Sequence, residues 1–407
     1  VALLAVIGPG IITANADNDA GGITAYSVAG AQYGYGLLWI MPLMALALIV
    51  VQEMSARLGV ATGKGLAGLI RESLGLRAAA IILGVFMVAN LANTISEFAG
   101  VAASLEIFGV SKYLSVPLAA AGVWLLIVKG SYKSVERIFL VASAIYLAYV
   151  ASCFLARPEW PTVLQAAVTP QFRLESGYVV LAVTMIGTTI APWMQFYQQS
   201  AIADKGLKAE DYAYERVDVI LGSIYGVLVA AFIVIACAAT LFPSGISVDT
   251  AKDAALALRP LAGPYASALF ALGLLNASVF TAAILPLSTA YVACEAFGWE
   301  SGISRSWKEA PVFFGLYTAI IVIGAGVILL PIRSLVQVML ASQTLNGVLL
   351  PIILVVMLRL VNDRRVMGRF TNGRASNILS YGIVVALAAL TVVLLITTVL
   401  PGLLGTG

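Results

Sequence analysis

The sequence predicts an all-α polytopic membrane protein of eleven spans, with the first and sixth spans broken. Three observations carry this reading. Of 407 residues, 61% are apolar and only 11% are charged, a composition outside the soluble globular range. Lysine and arginine sort between alternate connections. Charged and helix-breaking residues stand inside two stretches that are otherwise apolar enough to cross a bilayer: Asp17, Asn18 and Asp19 before Gly21 and Gly22 in the first, Pro192 in the sixth.

Taken in order, the apolar stretches fall at 3–31, 36–58, 77–104, 110–129, 134–155, 177–201, 218–242, 263–294, 311–331, 334–360 and 376–400. Val1 is not an initiator residue, and apolar residues begin at once, so no signal peptide is expected. Between the sixth and seventh spans, Asp204 to Asp218 is charged and amphipathic and reads as a linker. The basic stretch Val361 to Arg374 reads as a topology determinant with an attraction for anionic lipid. Seventeen basic residues fall on one side, among them Arg57, Lys64, Lys205 and Arg364, and six on the other, among them Lys112 and Arg333. The positive-inside rule places the first group in the cytoplasm. The numbered chain then starts inside and ends outside, as a multi-pass protein of a prokaryotic plasma or inner membrane.

Five spans (1–155) precede another five (177–360), and one (376–400) is left over. An odd number of spans per repeat inverts the second repeat relative to the first. Each repeat opens on an interrupted span, through Gly21 and Gly22 in the first and Pro192 in the second. Carboxylates in hydrocarbon are expensive and mark ion paths, and broken helices offer freed carbonyl oxygens as ligands. Asp19, Asp17 and Asn18 are therefore candidate cation ligands. Ala191, Gln195 and Gln198 lie at i, i+4 and i+7 on one face of the sixth span, which makes the two glutamines candidate pore-lining groups.

Other residues carry less. Glu53 and Arg57 are i, i+4 and pair across one turn, as an interfacial anchor or part of a gate. Glu97 lies deeper and is a candidate for cation passage or gating. Asn93, Asn276 and Asn346 read as interhelical glue, Asn346 with the further claim that it follows Gln343 by one turn. Met185 and Met194 read as packing residues. Cys153, Cys237 and Cys294 are far apart and suggest neither a disulfide framework nor a metal cluster. The absence of histidine excludes imidazole as ligand, base or proton carrier. A net charge of +3 gives no case for nucleic acid.

Several motifs carry a resemblance. GPG at Gly8 to Gly10, AGAQYGYGLLW from Ala29 to Trp39, SARLGVATGKGLA from Ser55 to Ala67, SEFAG from Ser96 to Gly100 and SQTLNGVLLP from Ser342 to Pro351 resemble the Nramp family of divalent-metal transporters. The resemblance covers most of the chain. It implies a LeuT-like fold with the cation site between spans one and six. The family's Asp-Pro-Gly-Asn becomes Asp19-Ala20-Gly21-Gly22, and its Met-Pro-His becomes Ala191-Pro192-Trp193. A second family histidine aligns with Gln198, and a third-span aspartate of the family's proton route aligns with Thr94.

These departures resemble the family's prokaryotic magnesium-transporting branch. Thioether sulfur favours softer transition metals, whereas Mg²⁺ wants oxygen and sheds water reluctantly. The implied cargo is Mg²⁺, with Mn²⁺, bound partly hydrated near Asp19. Asp17, Asn18, Gly22, Ala191, Gln195, Gln198 and Gln343 would line the site; Glu53, Arg57, Thr94, Glu97, Trp193 and Asn346 would line the path. Transport would be passive, by alternating access, without proton coupling, resident cofactor or partner protein, and the chain would work as a monomer. The alternative is a proton-coupled manganese or iron carrier of the Nramp type. A same-fold carrier of a small amine is a further rival. An alternative of another class, a Mg²⁺-dependent intramembrane enzyme using Asp17 and Asp19, lacks the extra carboxylates or basic groups that phosphoryl chemistry wants.

Overall fold

The computed structural model describes residues 18–129, 146–303 and 305–404. Asp17, the Gly8 to Gly10 motif and the first half of the fifth predicted span lie outside the described residues. The principal helices are α1 (Ala20–Tyr33), α2 (Ile40–Thr62), α3 (Leu66–Glu106), α4 (Lys112–Lys129), α5 (Leu147–Leu155), α6 (Trp160–Val168), α7 (Ser176–Thr189), α8 (Pro192–Lys205), α9 (Tyr212–Thr240), α10 (Ala266–Phe297), α11 (Pro311–Leu329), α12 (Leu335–Asn362) and α13 (Arg374–Leu404). Nine segments among the described residues are long and apolar enough to cross a membrane. They correspond to the predicted spans other than the first and fifth, whose later parts are α1 and α5.

Local chemistry sets the helix ends. α1 starts inside apolar sequence because Asp19, extended at φ −71° and ψ −178°, caps it with its own side chain. The sixth span is two helices: α7 stops at Thr189, Ile190 and Ala191 are non-helical, and Pro192 takes the first position of α8. Proline suits that position because its missing N–H would be unpaired there anyway. α3 is longer than its predicted span. A lead-in of about two and a half turns joins it through Gly75, whose φ of 79° bends the chain.

The predicted linker over Asp204 to Asp218 is a correction. Only residues 206–211 connect α8 to α9, and the first turns of α9 carry Glu215 and Asp218 into the protein. Their charge suggested solvent, but both are buried, Glu215 beside Gln198 of α8.

Burial separates centre from periphery. The combined α7–α8 span is 94% buried along its most apolar window, while that of α13 is 22% buried. α3 packs against α10, and α12 lies across α3 and α7. Exposed Ile81, Val88, Leu118 and Val385 on outer faces are what a lipid-facing surface requires.

Candidate functional site

Asp19 sits where α1 begins, and four helices converge on it. Its Oδ1 accepts from the Gly22 N–H at 2.5 Å. From α12, Gln343 Nε2 donates to Oδ1 at 3.3 Å and to Oδ2 at 3.1 Å. From the end of α7, Thr188 Oγ1 lies 3.5 Å from Oδ1. From α3, Glu97 Oε2 accepts the Ala20 N–H at 3.3 Å, which brings its carboxyl within hydrogen-bond reach of Asp19. Asp19 is 3% exposed and Glu97 0%, so two carboxylates share one dry site at a helix N-terminus, the end of the dipole that favours negative charge. Among the described residues, none donates a hydrogen bond to Glu97 Oε1.

Small residues make this convergence possible. A methyl group on Gly21 would lie 2.6 Å from Gln343 Cγ and closer still to Nε2, so only glycine lets that amide reach Asp19. One on Gly187 would lie 2.7 Å from the Gly347 Cα, so α7 and α12 cross backbone to backbone beside Gln343. A side chain at Gly100 would strike Ser278 and Ala20, so it too holds α1 against α3 and α10.

An amide chain backs the site. Asn346 Nδ2 donates to Gln343 Oε1 at 2.8 Å, and Asn346 and Asn93 exchange hydrogen bonds at 3.0 Å in both directions. Of the expected site residues, Asp19, Gly21, Gly22, Gln343, Asn346 and Glu97 are brought together. Asn18 is adjacent, but its Nδ2 donates to the Gly226 carbonyl of α9 at 3.3 Å, and its own carbonyl accepts from the Tyr146 hydroxyl at 3.1 Å.

The α8 residues lie differently. Ala191 caps α8 and is 1% exposed. The Gln195 amide nitrogen turns back onto the Ala191 and Pro192 carbonyls at 2.9 and 2.8 Å. Gln198 faces Glu215 of α9. Thr94 donates to the Asn90 carbonyl at 2.9 Å within its own helix. Buried Trp193 stands beside Tyr197, ring centroids 6.3 Å apart. Met185 and Met194 are fully buried, as expected of packing residues. Thr188 went unnoticed in the sequence; its only signal was a hydroxyl one turn before a proline break.

Glu53 and Arg57 form a separate cluster at the end of α2. Arg57 Nε lies 3.0 Å from Glu53 Oε1, and its Nη atoms donate to the Phe370 carbonyl at 3.0 Å and Asn372 Oδ1 at 2.5 Å. The Tyr212 hydroxyl donates to Glu53. This latch ties α2 and α9 to the segment before α13.

The fold defines a multi-pass membrane protein built from interrupted helices. The chain belongs to the Nramp family: the family model described as "Natural resistance-associated macrophage protein-like" matches residues 10–397. The chain is 26% identical over 410 residues to the divalent metal cation transporter MntH of Bacillus subtilis, covering 97% of this chain and 93% of that protein. It is 29% identical to MntH of Ralstonia nicotianae, over 93% and 88% of the two chains. A crystal structure of the Eremococcus coleocola manganese transporter superposes with a TM-score of 0.80 at 23% identity, covering 96% of this chain and 85% of that one. The nucleobase-cation-symport transporter Mhp1 superposes at 0.61 with 16% identity over 97% and 91%, which extends the likeness to the LeuT-like fold at large.

Proposed function

We propose that this protein carries divalent metal cations across the membrane by alternating access, with Asp19 as the central ligand. The carrying observation is the paired burial of Asp19 and Glu97 at a helix that starts in mid-membrane. Two carboxylates and one divalent cation sum to zero charge, which removes most of the penalty for burying either alone. The bound ion takes the place of the Gln343 N–H. The amide then turns its oxygen inward, and Asn346 and Asn93 turn with it, so that Asn346 Oδ1 accepts the freed Gln343 N–H and the Asn346–Asn93 pair is kept.

The named relatives stand closer to the manganese reading than to the magnesium-first one, so Mn²⁺ is the leading cargo. Mg²⁺ remains part of the proposal as a second cargo. Its support is chemical: the groups hydrogen-bonded to Asp19 are amides and a hydroxyl, and Ala191 brings no sulfur to the break. We place the basic-rich ends in the cytoplasm, take repeats 1–155 and 177–360 as the parts that rock against each other, and take a single chain as the working unit. Transport is passive in this proposal. Thr94, spent on its own helix, and Trp193 offer no proton at the aligned positions. A potential of −100 mV supplies about 4.6 kcal/mol to a divalent ion, from about 2.3 per charge.

The test is Mn²⁺, Mg²⁺ and H⁺ flux into proteoliposomes. Both metals should enter the parent, neither should enter Asp19→Ala, and no H⁺ should accompany them. Undiminished entry after Asp19→Ala overturns the site. H⁺ flux in fixed ratio to metal overturns passive transport and restores the proton-coupled alternative.

A further inference from the structure

At the basic-rich end of α12, a groove of about 540 Å³ opens between α12 and α13. That size is within the roughly 300–1,000 Å³ of small-ligand sites. Its floor is Leu358 and Val384, both buried, and its flanks are Val355 and Val385, 55% and 66% exposed. Both walls are apolar enough to cross a membrane, so the flanks face hydrocarbon. The groove changes character along its length. Val355 lies seven residues, about 10 Å, deeper along α12 than Asn362 at its mouth.

The mouth is positive. Arg359 is exposed there and, among the described residues, no carboxylate forms an ion pair with it. Arg364 and Arg365 follow within two turns, exposed and likewise without an ion pair among the described residues. Asp363 also lines the mouth, but its carboxylate caps the next short helix by accepting the Arg365 N–H at 2.8 Å. An apolar trough ending in unpaired guanidinium groups complements one kind of molecule: hydrocarbon below, phosphate above. Arginine grips phosphate through two parallel N–H donors. The basic stretch from Val361 attracts anionic lipid to this face at large, and the groove gives a single molecule a seat.

The seat is wired to the latch at the end of α2. Asn362 Oδ1 accepts from Asn377 Nδ2 at 2.8 Å, Asn377 Oδ1 from Asn372 Nδ2 at 2.9 Å, and Asn372 Oδ1 from Arg57 at 2.5 Å. We propose that one anionic phospholipid occupies this groove, its phosphate on Arg359 and an acyl chain along Leu358 and Val384, and that its presence steadies the latch through these three amides. The lipid holds α12 and α13 together at Asn362 and Asn377, and so fixes the segment that Arg57 grips.

Native mass spectrometry of the full chain tests the site, with phosphatidylglycerol and phosphatidylcholine of identical acyl chains as probes. The parent should retain one phosphatidylglycerol about fivefold more tightly than phosphatidylcholine, the scale of about 1 kcal/mol per basic residue. Arg359→Gln should abolish that preference, Arg359→Lys should keep part of it, and Val385→Trp, which narrows the trough, should weaken both lipids. Hydrogen exchange over residues 368–377 should be slower in phosphatidylglycerol nanodiscs than in phosphatidylcholine ones for the parent, and equal in the two for Arg359→Gln. Equal retention of the two lipids by the parent, or an undiminished preference in Arg359→Gln, overturns the seat. Displacement of the lipid by millimolar inorganic phosphate makes it a free-phosphate site and overturns it too, as does a dimer that Val385→Trp dissolves. Lipid-insensitive exchange in the parent overturns the link to the latch. No arm reads metal flux, so each failure leaves the transport reading standing.

Discussion

Replacing Gly21 with alanine separates the site from the fold. The added methyl would lie 2.6 Å from Gln343 Cγ, so the amide must withdraw from Asp19. Its contacts at 3.3 and 3.1 Å then go. Hydrogen bonds to a charged group contribute about 1.5–3 kcal/mol, and each 1.4 kcal/mol is about tenfold in affinity. If Gln343 contributes as much to a bound cation as to the carboxylate, Mn²⁺ affinity should fall roughly ten- to hundredfold. Helix stability works the other way, because alanine in a helix is favoured over glycine by up to about 1 kcal/mol. Binding should therefore drop while thermal stability barely changes. Isothermal titration of Gly21→Ala, Gln343→Ala and the double variant reads both terms. The two losses should not add, since the methyl acts only through the amide. An unchanged Mn²⁺ affinity in Gly21→Ala, or fully additive losses, would refute this account of the site.

Ala191→Met places a thioether at the break of the sixth span and should shift preference from Mg²⁺ toward Mn²⁺, read by competition between the two in an uptake assay. Arg57→Ala removes the contacts to Glu53, Phe370 and Asn372. It should cost about 1.5–3 kcal/mol of stability and raise hydrogen exchange over residues 368–377. Because the loaded central site is neutral while the unloaded one carries charge, Mn²⁺–Mn²⁺ exchange should respond little to membrane potential, whereas net influx should rise with inside-negative voltage. A steep voltage dependence of exchange would show that the loaded site carries charge.

The spans and the centre of the site were legible because their signals are local. A carboxylate in hydrocarbon, glycines beside it and a proline in the sixth span each change the energy of the residues next to them. Asp19 as a cap and Pro192 at the start of α8 follow from those changes alone. Glu97 and Gln343 were legible as polar groups too deep to be solvated. That both meet Asp19 was not, because the meeting depends on Gly21, Gly187 and Gly100 letting three helices approach. Those glycines look alike in sequence; only the crossing tells which of them has a neighbour against it.

The α8 residues show where periodicity stops. Ala191, Gln195 and Gln198 do share a helix face, but a face fixes direction and not partner. Gln195 finds the Ala191 and Pro192 carbonyls within its own first turn and is spent there. Gln198, one turn on, meets α9 instead. The reading of Asp204 to Asp218 failed for a related reason. Charge density distinguishes water from lipid but not either of these from a polar interior. Glu215 and Asp218 have the sequence surroundings of a solvated loop, and α9 nevertheless turns them inward beside Gln198. A charge at the edge of a predicted span thus carries two meanings, anchor or ligand. Arg57 and Glu53 satisfy each other and fit the first; Glu215, buried against Gln198, shows that burial of a charge does not by itself decide between the two.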